Sequence, residues 1–295
     1  MDSDLLESWK LSLRASNKAP ATIDCYLTDA GWLVRWLESN SRVNDLTEVT
    51  SRHVEAFLAG ENNAGRAAAT LARRYRSLVQ LFGWLEREGE IVTNPMSKMK
   101  PPIVPVQPPP VISDADVEKL LNVCAGKKFE NLRDTAIIRL LHTTGIRAGE
   151  LIGMGPDDVN LGAGIFSVMG KGRRGRTIAL LPKASAALDA YLRARKRHPQ
   201  VASPALWVGS KGALSVSGLA QLLERRCVAA GLEPINPHRF RHTFAHNAKS
   251  LGMNDGDLMS VAGWRSAQML VRYGASAQAE RGREAHHRLM DGKEV

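Results

Sequence analysis

Pro237-His238-Arg239-Phe240-Arg241-His242-Thr243 places two histidines and two arginines within five residues, at what reads as the start of a helix. Pro237 suits a first helical turn, and Phe240, Phe244, Ala248 and Leu251 continue at helical spacing. His238 lies three residues before Arg241 and four before His242, so the three share one helical face. A guanidinium fork beside a titratable imidazole suits a phosphate that must be held while protons move. The steps from His238 to His242 to His246 also match metal-ligand spacing. No HExxH glutamate and no cysteine cluster accompanies them, so no metal is expected.

Working outward, the 295 residues with 44% hydrophobic content can fill two cores. The net charge is +10, and it is unevenly placed. Residues 1–100 hold as many basic as acidic side chains, so the whole excess lies in residues 101–295, with the opening motif. That bias favours a polyanionic partner. Cys25, Cys124 and Cys227 are far apart and odd in number, which favours a reducing compartment over a disulfide framework. With no N-terminal apolar segment and no apolar run of membrane-spanning length, the expectation is a soluble cytoplasmic protein with no membrane partner.

From Asp2 to about Asn94 helix follows helix. Leu5, Leu6, Trp9 and Leu13 mark the first, and Pro20 opens a second carrying Ile23, Tyr26, Leu27, Leu33 and Leu37. Thr50 caps a third, and a longer fourth, about Ala67 to Arg87, buries Leu71, Leu78, Leu81, Phe82 and Leu85. Arg66, Arg73, Arg74 and Arg76 gather at its start, either as a solvated face or in contact with a DNA backbone. Six prolines in residues 101–110 exclude helix and predict a semi-rigid linker, 101–111. The expected domains are therefore 1–100 and 112–295. In the second, Ser113 starts a helix with a capping box, and another covers about Arg133 to Thr143. Two strands flank the basic turn Lys171–Gly175, and helices resume at Lys183–Arg197, Ser217–Ala230, Pro237–Ser250, Asp255–Val261 and Ala267–Tyr273. The fold class is mainly α: a helical N-terminal bundle and a mainly helical C-terminal domain with a small antiparallel sheet.

Four motifs stand in order along the second domain: Thr144-Gly-Ile-Arg-Ala-Gly-Glu150, Gly170-Lys-Gly-Arg-Arg-Gly-Arg176, His238-Arg-Phe-Arg-His242, and Ala262-Gly-Trp-Arg-Ser266 with Tyr273 nine residues after Trp264. Singly, each has a bland explanation. Arg147 with Glu150 can be an exposed turn ion pair. Lys171 with Arg173, Arg174 and Arg176 can be a solvated hairpin tip, with these arginines meeting DNA in the other case. Trp264 and Tyr273 can be core residues. Together and in this order, the motifs resemble the tyrosine recombinase (phage integrase) family over essentially the whole chain. The resemblance implies that the front half is a core-binding domain and the second domain catalytic, in the compact two-domain type without an arm-site domain.

The chemistry has its own logic. Opening and later resealing a phosphodiester calls for a covalent intermediate, because attack by water would discard the bond energy. The crowded anionic transition state is best held by fixed guanidinium groups. The resemblance implies the assignments: Arg147 and Arg241 on the non-bridging oxygens, Glu150 orienting Arg147, Lys171 protonating the departing 5′ oxygen, His238 moving the tyrosine proton, Trp264 donating its indole N–H, and Tyr273 forming a 3′-phosphotyrosyl link. It implies no cofactor, metal or ATP, double-stranded DNA as partner, and a homotetramer on two sites with the two domains clamping the duplex; accessory or directionality proteins are compatible with it. Trp264 stands where many members have a second histidine, Ala262 where leucine is common, and Gly274-Ala275 where Thr-His is frequent. The segment Ser276–Val295 is expected either to dock on a neighbouring protomer or to fray. Three rivals remain open: a monomeric type IB topoisomerase, a catalytically silent DNA-binding protein, and a zinc hydrolase built on the three histidines.

Overall fold

The computed structural model describes residues 3–40, 43, 45–105, 110–170, 175–264, 270, 282–283 and 286–291. The chain divides into two compact units, Met1–Val106 and Gln107–Val295, the division falling inside the proline-rich segment. Both are mainly helical and the second holds the small antiparallel sheet, as the sequence pattern predicts.

The N-terminal unit consists of α1 (Ser3–Ala15), α2 (Pro20–Asn40), α3 (Ser51–Asn63) and α4 (Ala68–Glu88). Its core is built from Trp9, Leu33, Leu37, Phe57, Leu78, Leu81, Phe82 and Leu85, which recur at three- and four-residue steps and so lie on one stripe of each helix. Trp9 stacks on Tyr26, and Trp36 meets Phe57 edge-on. Gly89, left-handed at φ 79°, closes α4.

One feature of α4 departs from the expectation. Arg74, expected with its basic neighbours on a solvated or DNA-facing surface, is 4% exposed and points into the bundle, where it pairs with Glu61 of α3 and lies 3.8 Å from Asp29 of α2. The reason is positional, because residue 74 falls on the buried stripe between Leu71 and Leu78. Asp29 is itself fully buried and accepts hydrogen bonds from Ser77 Oγ at 2.7 Å and Arg73 Nη1 at 2.9 Å. Arg73 also lies 2.9 Å from Cys25 Sγ. Arg66, paired with Glu61 at 3.5 Å, and Arg76 are exposed; Arg73 is partly so.

The C-terminal unit runs α5 (Asp114–Asn122), α6 (Phe129–Thr144), α7 (Ala148–Ile152), β1 (Val159–Asn160), β2 (Ile165–Met169), β3 (Gly175–Ala179), α8 (Pro182–Arg195), β4 (Val208–Gly209), β5 (Gly212–Ala213), α9 (Val216–Ala229), α10 (Pro237–Ser250) and α11 (Asp255–Ala262). Helix α5 starts where Ser113 Oγ accepts from the Asp116 N–H. The short α7 and the β4–β5 hairpin lack a sequence pattern long enough to predict them. Strands β1, β2 and β3 pair antiparallel in that order, with Phe166 opposite Ile178 and Val168 opposite Arg176. Helix α6 is the hub: it packs against α8 and α10, burying Ile137, Ile138, Leu140, Leu141, Leu188 and Phe240.

Two hydrogen bonds tie α7 and the residues just after it to the segment before β4. Trp207 Nε1 donates to Leu151 O at 2.8 Å, and Leu206 N donates to Met154 O at 2.7 Å. Arg195 gathers the incoming loop by donating to the carbonyls of Val201, Ser203, Ala205 and Leu206. All three cysteines are free; burial pushes the Cys124 thiol up to about 11, so it is an inert core residue.

Replacing Arg74 with alanine removes the buried cation shared by Asp29 and Glu61, leaving each only with a more exposed arginine, Arg73 and Arg66 respectively. The expected loss in urea unfolding of the N-terminal unit is about 3 kcal/mol, whereas Arg76→Ala on the exposed face should change it by under about 0.5 kcal/mol. Equal losses for the two variants would show that Arg74 does not hold the bundle together.

Candidate active site

Helix α6 ends at Gly145, left-handed at φ 57°, two residues before Arg147. A Cβ at Gly145 would lie 2.6 Å from the Phe244 ring, so both backbone conformation and space require glycine where α10 crosses the end of α6. Arg147 is the N-cap of α7, and Glu150 reaches back to accept the Arg147 N–H at 3.1 Å, the reciprocal half of a capping box. The Thr-Gly-Ile-Arg-Ala-Gly-Glu motif is thus a helix stop, a turn and a helix start in seven residues.

Glu150 is 5% exposed and holds two guanidinium groups. Its Oε1 accepts from Arg147 Nη1 at 2.7 Å and Arg176 Nη1 at 2.9 Å, and its Oε2 accepts from Arg176 Nη2 at 2.8 Å. Burial alone would push this carboxyl up, but the hydrogen bonds from Arg176 and Arg147 outweigh it and bring it down to about 2.

The end of α11 completes the arrangement. Three successive carbonyls there each accept from a different arginine: Val261 O from Arg176 Nε at 2.9 Å, Ala262 O from Arg241 Nη2 at 2.6 Å, and Gly263 O from Arg147 Nη2 at 2.8 Å. These are carbonyls of a helix C-terminus, where the partial negative charge favours cations. Gly263 turns left-handed at φ 66°, and a Cβ on it would lie 2.8 Å from Arg176 Nη1. Arg241, from the second turn of α10, also donates to Gly145 O at 2.7 Å. It is buried, with Cζ 5.1 Å from the Trp264 ring centroid.

Arg147, Glu150, Arg241 and Trp264 therefore form one cluster. His238 is exposed on the first turn of α10, beside His242, the ring centroids 4.1 Å apart and the planes at 73°. Arg147 keeps 42% of its side chain exposed although it is anchored at two points. Lys171, Arg173, Arg174, Tyr273 and most of Ser276–Val295 lie outside the described residues. Among the described residues no group of three His, Cys, Asp or Glu side chains is placed to hold a metal ion, and no helix is long and apolar enough to cross a membrane.

Arg176, like Arg74, is turned inward where its basic neighbours suggest a surface residue. Grouped with the basic turn as a DNA contact, it instead turns inward with its Nε, Nη1 and Nη2 all engaged inside the cluster. Strand alternation carries the signal for this: residue 176 is two before buried Ile178 and so shares its face.

A depressed carboxyl contributes stability that is present above its ordinary value of 4.5 and is lost as pH falls toward about 2. Wild type should therefore lose unfolding midpoint between pH 4.5 and 2 more steeply than Glu150→Gln, measured by urea titration of both proteins. Parallel curves would mean that the carboxylate is not held by the two arginines.

Residues 110–280 match the family model described as phage integrase family, and residues 5–89 match that of the phage integrase N-terminal SAM-like domain. Tyrosine recombinase XerD of Listeria innocua serovar 6a is 30% identical over 245 residues, covering 81% of this chain and 82% of the relative. Among solved structures, XerH site-specific recombinase bound to a palindromic difH substrate, a post-cleavage complex, matches with a TM-score of 0.75 at 19% identity, over 98% of this chain and 84% of that one. A lambda integrase tetramer bound to a Holliday junction matches at 0.70 and 18%, over 89% and 77%. The arginine cluster thus sits in a fold shared with these structures, and on the family match over more than half its length the chain belongs to the phage integrase family, as a tyrosine site-specific recombinase.

Proposed function

We propose that this recombinase cuts and rejoins DNA through a covalent 3′-phosphotyrosyl intermediate on Tyr273, as a homotetramer acting on two double-stranded sites, without metal or ATP. The Tyr273 oxygen attacks phosphorus, the bond to the 5′ oxygen breaks, and the phosphotyrosyl ester keeps the bond energy for resealing by a 5′-hydroxyl. Lys171 gives a proton to the departing 5′ oxygen, and His238 serves the proton on the tyrosine. Arg147 and Arg241 hold the non-bridging oxygens as charge accumulates, with Trp264 donating its indole N–H to the same phosphate. Arg66, Arg73 and Arg76 in the N-terminal unit and Arg173 and Arg174 beside Lys171 supply contacts to the DNA backbone.

The observation that carries this reading is the fixing of Arg147: its guanidinium is anchored on Glu150 Oε1 and Gly263 O, yet its side chain remains 42% exposed. A cation already desolvated on one edge and oriented on the other loses little freedom when a phosphate arrives. Assembly as a tetramer draws support from the lambda integrase neighbour, a tetramer on a Holliday junction.

The test is covalent trapping. Wild-type protein mixed with nicked DNA from the sequence flanking its own gene, or with a genomic fragment pool, in EDTA and quenched with SDS, should yield a protein–DNA adduct that Tyr273→Phe abolishes. Sequence-specific binding with no adduct on any fragment would leave a DNA-binding protein without strand cleavage.

A further inference from the structure

The cluster holds an arginine to which the phosphate chemistry assigns no task. Arg176 meets Glu150 fork to fork at 2.8 and 2.9 Å and binds Val261 O at 2.9 Å, with 15% of its side chain exposed. A carboxylate paired only with Arg147 would form a neutral ion pair and cancel the charge needed at the phosphate. With a second guanidinium on the same carboxylate, the trio carries one net positive charge. Of its two cations Arg147 is the one turned to solvent, 42% exposed against 15%. The two ends of the trio also come from different elements: Arg176 from β3, Arg147 and Glu150 from α7, both tied to the α11 terminus.

We infer that Arg176 is a positioning residue for strand cleavage: it neutralises Glu150 and fixes its carboxylate plane, so that Arg147 stays both oriented and effectively cationic toward the scissile phosphate. It does not itself contact DNA. This rests on Arg147 acting at the phosphate, as proposed above.

The test measures single-turnover formation of the Tyr273 adduct in full-length protein. Arg176→Gln should slow it about a hundredfold, the scale of a loss of catalytic alignment. Arg176→Lys, which keeps the charge without the fork, should be slowed only about tenfold. The decisive variant is Arg176→Gln combined with Glu150→Gln. Removing the carboxylate that Arg176 no longer neutralises restores the charge of Arg147, and cleavage should recover about tenfold over Arg176→Gln alone. The fall of log affinity for DNA with log salt should keep its wild-type slope in Arg176→Gln, whereas loss of a phosphate contact would reduce that slope by about 0.9. A double variant no faster than the single one, with both folded by circular dichroism, overturns the charge-balancing role. A reduced salt slope overturns it in favour of a DNA contact. Wild-type cleavage at rates unaffected by Arg176→Gln overturns this inference alone, while a wild type that forms no Tyr273-dependent adduct overturns the proposed function and this inference with it.

Discussion

A carboxylate kept nearly dry between two guanidinium groups is the interaction on which the site depends. Desolvating Glu150 is unfavourable by itself, and the compensation comes from four hydrogen bonds, two from Arg176 and two from Arg147. Because each arginine also reaches a carbonyl at the end of α11, the pairing of the carboxylate links α7, β3 and α11 in one register. Two left-handed glycines make that register reachable: Gly145 lets α6 stop where Phe244 crosses it, and Gly263 lets the last α11 carbonyls meet the arginines. Packing around α6 then has one arrangement to stabilise rather than several.

The N-terminal unit uses the same physics for a different end. There Asp29 and Arg74, both buried, and the partly buried Glu61 join three helices. Such groups discriminate among helix registers, since sliding α4 along α2 by one turn would strand Arg74 in the apolar core. The arginines of α4 thus divide by angular position, Arg74 to the interior and Arg76 to solvent. Belonging to a basic cluster in sequence says little about which task each member performs.

That contrast explains what could be read in advance. Helix stripes such as Leu71, Leu78, Leu81 and Leu85 and the paired strands are written in periodicities of 3.6 and 2, and each lies where its pattern places it. Arg147, Glu150, Arg241 and Trp264 were marked by motif order, and the structure brings them within hydrogen-bonding or ring-contact reach of a common centre. The inward turns of Arg74 and Arg176 had a local signal, a buried stripe and a strand alternation, which their basic neighbours obscured. The carbonyl anchors at Val261, Ala262 and Gly263 had none, because main-chain oxygens are the same at every residue and only the tertiary fold says which are in use. The short α7 and the β4–β5 hairpin fall below the length at which a period can be recognised.

The use of three main-chain oxygens bears on how such a site tolerates change. The side chains at positions 261 and 262 form no part of these hydrogen bonds, so residues of similar size can replace them while the anchors persist. Ala262 is itself fully buried, so the space around it, and not the hydrogen bond from Arg241, limits what can stand there. Insertion or deletion of a single residue within α11 is another matter. It would rotate the helix end by about 100° and shift it by about 1.5 Å, turning all three oxygens away from Arg176, Arg241 and Arg147 at once. The three anchors therefore constrain the length of α11 more tightly than the side chains along it.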